Sequence, residues 1–185
     1  MNTTKRLFDL GVSLIVILFL LVWFLPIVLL CVFISIKESP IFIQERVGHE
    51  KKIFKCFKIK TMVEKDQNLH INKFCLMLRK LAIDELPQFF NVLIGNMSIV
   101  GPRPYTISDD EKFRKVAENF DERYYLKPGI TGLAQSKGYK GFIKNDTDIL
   151  ERSFLDLEYV EKHSLYFDIT IMINTLIFII KQNKS

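Results

Sequence analysis

Apolar residues occupy almost every position from Gly11 to Ile34, shortly after the cations Lys5 and Arg6. About 20 such residues are enough for a helix to cross the hydrocarbon core of a bilayer. Pro26, near the middle of the run, lacks a backbone N–H, and proline at such a position kinks a helix. The pattern therefore predicts a membrane helix that is interrupted at Pro26, with a longer arm before the break and a shorter arm after it.

The charges around this segment predict how it enters the membrane. Lys5 and Arg6 lie on one side of it, while Lys37 and nearly all other lysines and arginines lie on the other. Positively charged flanks favour the cytoplasmic side of a membrane. Both ends on one side would make residues 1–36 a re-entrant helix-break-helix, and a simple span is the alternative. A secretory signal is disfavoured because no small-residue cleavage site follows the run.

The remaining pattern predicts a small β-hairpin followed by helices. The hairpin strands are expected within Ser39–Gln44 and Ile53–Ile59. Helices are expected over Asn72–Leu81, from near Asp84, over Ser108–Asn119, over Asp148–Glu161 and over Leu165–Ile180. The last one contains polar residues and is short for a span, so we expect it to be interfacial or packed on the core. The fold class is mostly α with a small β-hairpin (α+β), with residues 37–185 as one compact cytoplasmic domain carrying interfacial amphipathic helices.

Composition narrows the classes of partner. The 185 residues are 49% hydrophobic and 25% charged, which excludes a disordered chain, and the net charge of +5 favours anionic partners. Clustered cations with base-stacking aromatic residues are absent from the sequence, so no nucleic acid is expected. Cys31, Cys56 and Cys75 form no C-x-x-C pair, and we expect them to be reduced and structural, without a zinc site.

The candidate chemistry lies at two adjacent carboxylates, Asp84 and Glu85, just before Pro87. Because proline is tolerated only in the first turn of a helix, Pro87 predicts a helix start near Asp84. An ordinary helix cap, which contributes about 1 kcal/mol, is one interpretation of this aspartate. The candidate phosphate-binding cations are Lys58, Lys60, Arg79 and Arg103. Carboxylates among fixed cations suit phosphate and magnesium chemistry, which is the other interpretation.

The stretch IDELPQFFNVLIGNMSIVGPRP, residues 83–104, resembles the bacterial sugar transferases, the monotopic phosphoglycosyl transferases that begin surface-glycan assembly. The resemblance runs from Lys5 to about Asp168. It includes the P-x-F-x-Q-x-R-x-G pattern from Pro40 to Gly48, KIKTM at 58–62, the R-x-x-x-x-P-G-x-T-G-x-A-Q pattern from Arg123 to Gln135, and R-x-x-x-D-x-x-Y-V from Arg152 to Val160.

The resemblance implies an activity at the cytoplasmic face of the bacterial inner membrane. A phosphosugar would pass from a UDP-sugar to undecaprenyl phosphate, through a covalent intermediate on Asp84. Glu85 would act as a magnesium ligand or an acid-base group, and both carboxylates are candidate ligands of Mg2+. The candidate substrate-binding residues are Gln135, Lys140, Arg152 and Asp156. The sugar, the glycan pathway and a possible homodimer stay open.

Some positions depart from the family pattern. Leu25 replaces the serine that usually precedes the proline, and Lys137–Lys140 replaces an asparagine- and arginine-containing run. A non-catalytic, membrane-anchored binding or scaffolding relative is therefore the alternative function. Arg152 and Asp156, four residues apart, could also simply pair on a helix surface.

Overall fold

The structure, a computed structural model, describes residues 3–65 and 68–182. The chain is mostly helical, at 62%, with small sheets. The helices are α1 (Thr3–Val16), α2 (Val22–Ile36), α3 (Lys73–Lys80), α4 (Gln88–Leu93), α5 (Ile107–Val116), α6 (Leu133–Ser136), α7 (Asp146–Lys162) and α8 (Leu165–Gln182). The strands are β1 (Ile41–Val47), β2 (Ile53–Ile59), β3 (Val63–Lys65), β4 (Asn68–His70), β5 (Ser98–Val100) and β6 (Gly129–Thr131).

The predicted hairpin is confirmed. β1 and β2 pair antiparallel, from Ile41 opposite Ile59 to Val47 opposite Ile53. Two further two-stranded sheets were not predicted, an antiparallel pair of β3 with β4 and a parallel pair of β5 with β6. Their strands of three residues are too short to show an alternating pattern in the sequence.

The parallel pair runs through the main core. Ile99 and Val100 of β5 pack there with Met97, Leu133 and Tyr159. The strands approach so closely that a Cβ atom on Gly101 would lie 2.3 Å from the Lys127 carbonyl oxygen, so only glycine fits. β5 therefore delivers the following Gly-Pro-Arg-Pro turn to a fixed place.

The N-terminal apolar helix is present, but the break predicted at Pro26 is not found. α1, a π-helical turn (Ile17–Leu21) and α2 follow one another without a gap and form 34 residues of helix, whose most apolar 18-residue window has a mean hydropathy of 3.3. The helical backbone continues through Pro26. A proline removes one backbone hydrogen bond from a helix, and the hydrogen bonds of the neighbouring turns keep this segment helical. Only 22% of its most apolar window is buried. The backbone hydrogen bonds depart from the α-helical pattern in the π-helical turn, upstream of the proline.

Both ends of this helix contact the rest of the chain. Near its start, Arg6 donates hydrogen bonds to the carbonyls of Val92, at 2.7 Å, and Leu93, at 3.0 Å. Near its end, Val28 and Val32 pack against Ile59, Leu78 and other apolar residues of β2 and α3. The first contact fixes the end of α4, and the second forms part of the core beside β2.

The predicted helices around the centre are found with shifted limits. α3 begins after Asn72, whose side chain accepts a hydrogen bond from the Cys75 N–H at 2.8 Å. Cys75 and Leu78 of this helix are buried, while Met77 and Leu81 are exposed. The three cysteines are free, as predicted.

The later helices show the same small shifts. α5 is capped by Thr106, two residues before the predicted Ser108, and α7 is capped by Asn145. Within residues 3–65 and 68–182, α8 and the N-terminal helix are the two helices long and apolar enough to cross a membrane. α8 just reaches that length with 18 residues, and only 11% of it is buried.

Candidate active site

Asp84 and Glu85 lie in a short 3-10 turn (Ile83–Glu85), not at the start of α4. Ala82, before the turn, adopts a left-handed conformation with φ of 56° and separates it from α3. Pro87 occupies the N-cap of α4, and the cap has no side-chain hydrogen bond. The predicted helix start near Asp84 and its capping interpretation are therefore wrong, because the proline stands one place before the helix. The separate turn carries both carboxylates to one cavity.

This cavity has a volume of about 910 Å3. Among the described residues, ten lysines and arginines and four carboxylates line it, so its charge is strongly positive. The predicted site residues that it brings together are Asp84, Glu85, Lys58, Lys60, Arg79, Arg103, Lys140 and Arg152. A cavity of this size accepts a nucleotide-sized ligand, and its excess of cations suits a diphosphate.

Glu85 is held by two cations. Its Oε1 atom lies 3.1 Å from the Lys58 ammonium and 3.4 Å from Nη2 of Arg103. Burial by itself raises the pKa of Glu85, but Lys58 and Arg103 outweigh burial and lower the pKa to about 2. Glu85 is therefore ionised at neutral pH and fixed in place.

Asp84 has the opposite electrostatic environment. Its side chain is buried, and within residues 3–65 and 68–182 it makes no ion pair. Burial raises the pKa of Asp84 to about 6, the adjacent Glu85 charge adds to this effect, and Lys58, Arg79 and Arg103 oppose it. Two neighbouring carboxylates thus have well-separated pKa values, a pattern typical of catalytic pairs.

The other cations of the cavity differ in their partners. The Lys60 ammonium pairs with Glu38. Nη1 of Arg79 lies 3.1 Å from the sulfur of Met62, and the Lys140 ammonium lies 5.6 Å from the centre of the Phe178 ring. In the part of the chain that the structure describes, Arg79 and Lys140 make no ion pair. These two cations keep their charge available for an anionic ligand.

Gln135 and Asp156 are not among the residues that line the cavity. The side-chain amide of Gln135 donates to the Ile130 carbonyl at 2.9 Å, inside the β6 to α6 connection. Asp156 is buried and lies 3.0 Å from Nη2 of Arg123. The structure therefore places both residues behind the cavity wall, apart from the other predicted substrate-binding residues.

Arg152 lines the cavity, and it also holds in place the neighbouring residues Gly141 and Phe142, which line the cavity as well. Its guanidinium donates to the carbonyls of Gly141, at 3.1 Å, and Phe142, at 3.2 Å, and it pairs with Asp148 at 2.9 Å. The suggested surface ion pair between Arg152 and Asp156 is not formed, because both side chains are buried. Arg152 pairs with Asp148 instead, and Asp156 pairs with Arg123.

Two arginines beside the site had no predicted role. Arg46 lines the cavity and donates to the Pro104 carbonyl at 3.0 Å; burial and the nearby Arg103 lower its pKa. Arg123 lies behind the wall and contacts the Arg103 carbonyl. Both residues belong to motifs that are visible in the sequence. A sequence motif does not show which backbone carbonyl an arginine side chain contacts.

Comparison with known protein families matches residues 1–182 to the bacterial sugar transferases. The chain belongs to this family.

Individual relatives agree with that assignment. Similar proteins include a UDP-glucose:undecaprenyl-phosphate glucose-1-phosphate transferase of Escherichia coli, 40% identical over 80% of this chain, and a protein of the same name from Klebsiella pneumoniae, 38% identical over 93%. A galactosyl transferase of Streptococcus agalactiae is 38% identical over 74% of the chain. The matches cover 35%, 39% and 33% of those relatives, so this chain corresponds to well under half of each of them.

Proposed function

We propose that this protein transfers a phosphosugar from a UDP-sugar to undecaprenyl phosphate, giving an undecaprenyl diphosphate sugar and UMP. The observation that carries the proposal is the buried Asp84 beside an ionised Glu85 in a cation-lined cavity. The family and the names of the relatives support the same donor and acceptor classes. The reaction would be the first membrane step of surface-glycan assembly.

The chemistry would run in two displacements at phosphorus. A carboxylate oxygen of Asp84 attacks the sugar-bearing phosphorus, the bond from that phosphorus to the bridging oxygen of UMP breaks, and UMP leaves with the electron pair. A phosphate oxygen of the polyprenyl phosphate then attacks the same phosphorus and releases the Asp84 carboxylate. One site thus serves a soluble donor and a membrane acceptor in turn.

The cations would stabilise the charges of the donor and the leaving group. Arg79 and Lys140 line the cavity without ion pairs among the described residues, and they would bind phosphate oxygens. Lys58 and Arg103 fix Glu85 and add positive charge beside Asp84. Fixed donors of this kind stabilise charge that develops in the transition state.

The two carboxylates fit a magnesium ion, which would need further ligands from the substrate. Magnesium in nucleotide sites is commonly held by one or two carboxylates and by substrate phosphates, and Asp84 with Glu85 supplies that number. Within the described residues no group of three metal-binding side chains exists, so the remaining ligands would be donor oxygens and water. The ion would neutralise the diphosphate charge.

The N-terminal helix supports a membrane location. Its outward side chains form a continuous apolar surface, which includes Leu18, Phe19, Trp23, Ile27 and Leu30. Arg6 near one end and Val32 near the other end both contact the same folded domain, which supports an arrangement with both ends on one side of the membrane. We therefore favour the re-entrant arrangement, with the domain on the cytoplasmic face and α8 at the interface.

The first experiment is UMP release from a panel of UDP-sugars by the detergent-purified or lipid-embedded protein, with and without undecaprenyl phosphate and magnesium. The expected result is sustained release that depends on both additions, with at most one UMP per protein when the lipid phosphate is left out. Both the sustained release and the single-turnover release should disappear in Asp84→Asn. Asp121→Asn is the control, because that surface carboxylate pairs with Lys51 and Arg114 away from the cavity. Absence of release by a folded, membrane-bound protein would favour the non-catalytic scaffolding relative.

A further inference from the structure

The turn that carries Arg103 is held through its carbonyl groups. Pro102 and Pro104 flank the arginine and have no N–H groups, so they cannot donate to a neighbouring strand. Instead, three consecutive carbonyls accept hydrogen bonds: Pro102 from the Gly129 N–H at 3.0 Å, Arg103 from Arg123, and Pro104 from Arg46 at 3.0 Å. The direction of the Arg103 side chain is therefore set by what lies behind this turn.

Arg123 makes the central one of these contacts. It stands in a 3-10 turn (Phe120–Tyr125), and 4% of its side chain is exposed. Its guanidinium carbon lies 4.5 Å from the centre of the Tyr105 ring and 4.8 Å from that of Phe120. The two rings restrict the guanidinium to one orientation, in which Nη2 donates to the Arg103 carbonyl.

Asp156 faces the same guanidinium from α7. Its Oδ2 atom lies 3.0 Å from Nη2 of Arg123, while 1% of the side chain is exposed. Burial raises the pKa of Asp156, while Arg123 and the Arg103 backbone N–H, which also faces this carboxylate, lower it. The contact with Arg123 is an ion pair in a buried setting. Such a pair adds little net stability, because removing two charges from water costs about as much as their attraction returns.

We propose that Arg123 and Asp156 are positioning residues for Arg103. Asp156 fixes Arg123 and also faces the Arg103 N–H, and Arg123 fixes the Arg103 carbonyl. The Arg103 guanidinium then reaches Glu85 at 3.4 Å on the cavity side. The inference rests on the proposed function, in which Arg103 offsets the charge of the departing UMP. It replaces the predicted substrate contact of Asp156 with an indirect role, since neither residue of the pair lines the cavity.

The test is a double-mutant cycle on UMP release, with Arg123→Gln, Arg103→Gln and the double variant. We expect each single change to lower kcat about 10- to 100-fold, with KM for the UDP-sugar within about threefold. The double variant should be no slower than Arg103→Gln, because Arg123 acts through Arg103. Arg123→Lys, which keeps the charge and can still reach one carbonyl, should recover part of the lost kcat.

Arg114→Gln provides the matched control. Like Arg123, Arg114 lies over an aromatic ring, 5.4 Å from the centre of the Tyr124 ring. It pairs with Asp110 and, among the residues that the structure describes, has no hydrogen bond to the Arg103 turn. We expect its kcat to stay within about twofold of that of the unaltered protein. Asp156→Asn, which keeps the side-chain shape, gives a milder second variant if Arg123→Gln unfolds, and we expect its kcat to fall about 3- to 10-fold.

Additive losses in the cycle, or a native kcat in Arg123→Gln or in a folded Asp156→Asn, would overturn the inference. Failure of the proposed function has a different outcome, namely no UMP release by the unaltered protein. The same cycle is then measured on UDP affinity by titration calorimetry. Equal affinities of Arg103→Gln and the double variant support the positioning role, and a further loss in the double variant counts against it.

Discussion

The Lys58 ammonium and the Glu85 carboxylate lie 3.1 Å apart and join the second hairpin strand to the turn that carries Asp84. This pair keeps Glu85 ionised beside a neighbour whose pKa is raised to about 6. β2, through Lys58, therefore determines the ionisation of Glu85 as well as the position of the turn that carries it. The consequences for activity and stability can be measured.

The pH profile of kcat/KM should show an acidic limb near pH 6. In the proposed mechanism Asp84 attacks phosphorus as the ionised carboxylate, and its pKa is raised to about 6, first by burial and then by Glu85. Activity should fall as the pH drops through this value. Glu85→Gln removes the like charge and should move the limb of the residual activity to lower pH. A limb that stays in place would show that Glu85 does not act on Asp84.

Lys58→Met should be more harmful than Lys60→Met. Lys58 neutralises Glu85 beside Asp84, whereas Lys60 already pairs with Glu38. We expect kcat to fall about 10- to 100-fold for Lys58→Met and less for Lys60→Met. UMP-release rates of the two purified variants provide the measurement. Equal losses would indicate that the Lys58 to Glu85 pair has no special role.

Asp84→Asn should stabilise the fold at alkaline pH while it abolishes turnover. The folded-state pKa of Asp84 is about 6, above its ordinary value of 3.8, so the aspartate favours the folded state less as the pH rises from about 4 through 6. Above pH 7 its ionisation costs roughly 2 to 3 kcal/mol, which the neutral amide avoids. Unfolding curves of both proteins at pH 4 and pH 8 test this. The gain should appear only at pH 8.

Removal of divalent metal should stop UMP release. With EDTA the diphosphate of the donor keeps its full negative charge, and no group of three metal-binding side chains among residues 3–65 and 68–182 could retain an ion against the chelator. Added magnesium should restore the rate. Full activity in EDTA would remove the metal from the proposed site.

The sequence predicted the elements that have a strong period or a clear cap, and it missed those that depend on distant contacts. The hairpin, α3 and α7 follow from apolar spacing and from capping residues such as Asn72. The 3-10 turn at Asp84 was missed because it depends on a left-handed Ala82, and no local pattern signals that conformation at an alanine. β5 and β6 were missed because they pair across an intervening 28 residues and have only three residues each.

The candidate site shows the same division. Lys58, Arg79 and Arg103 were selected as cations of the Asp84 to Glu85 site, and the structure does bring them to one cavity. Gln135 and Asp156 were selected by motif alone, and they lie behind the wall. Whether a polar side chain faces the cavity or the protein interior depends on how several helices and strands pack together. A short sequence motif does not show that packing.

The docking of α2 has a consequence for any attempt to make the protein water-soluble. Val28 and Val32 are buried against Ile59 and Leu78, which belong to the strand and helix that flank Asp84. A truncated variant that starts at residue 37 would leave these apolar partners uncovered and lose the support of the turn that carries Asp84. The N-terminal helix is thus also internal scaffolding of the domain that carries Asp84. In the proposed arrangement its depth in the bilayer would set the height at which Asp84 meets a lipid phosphate.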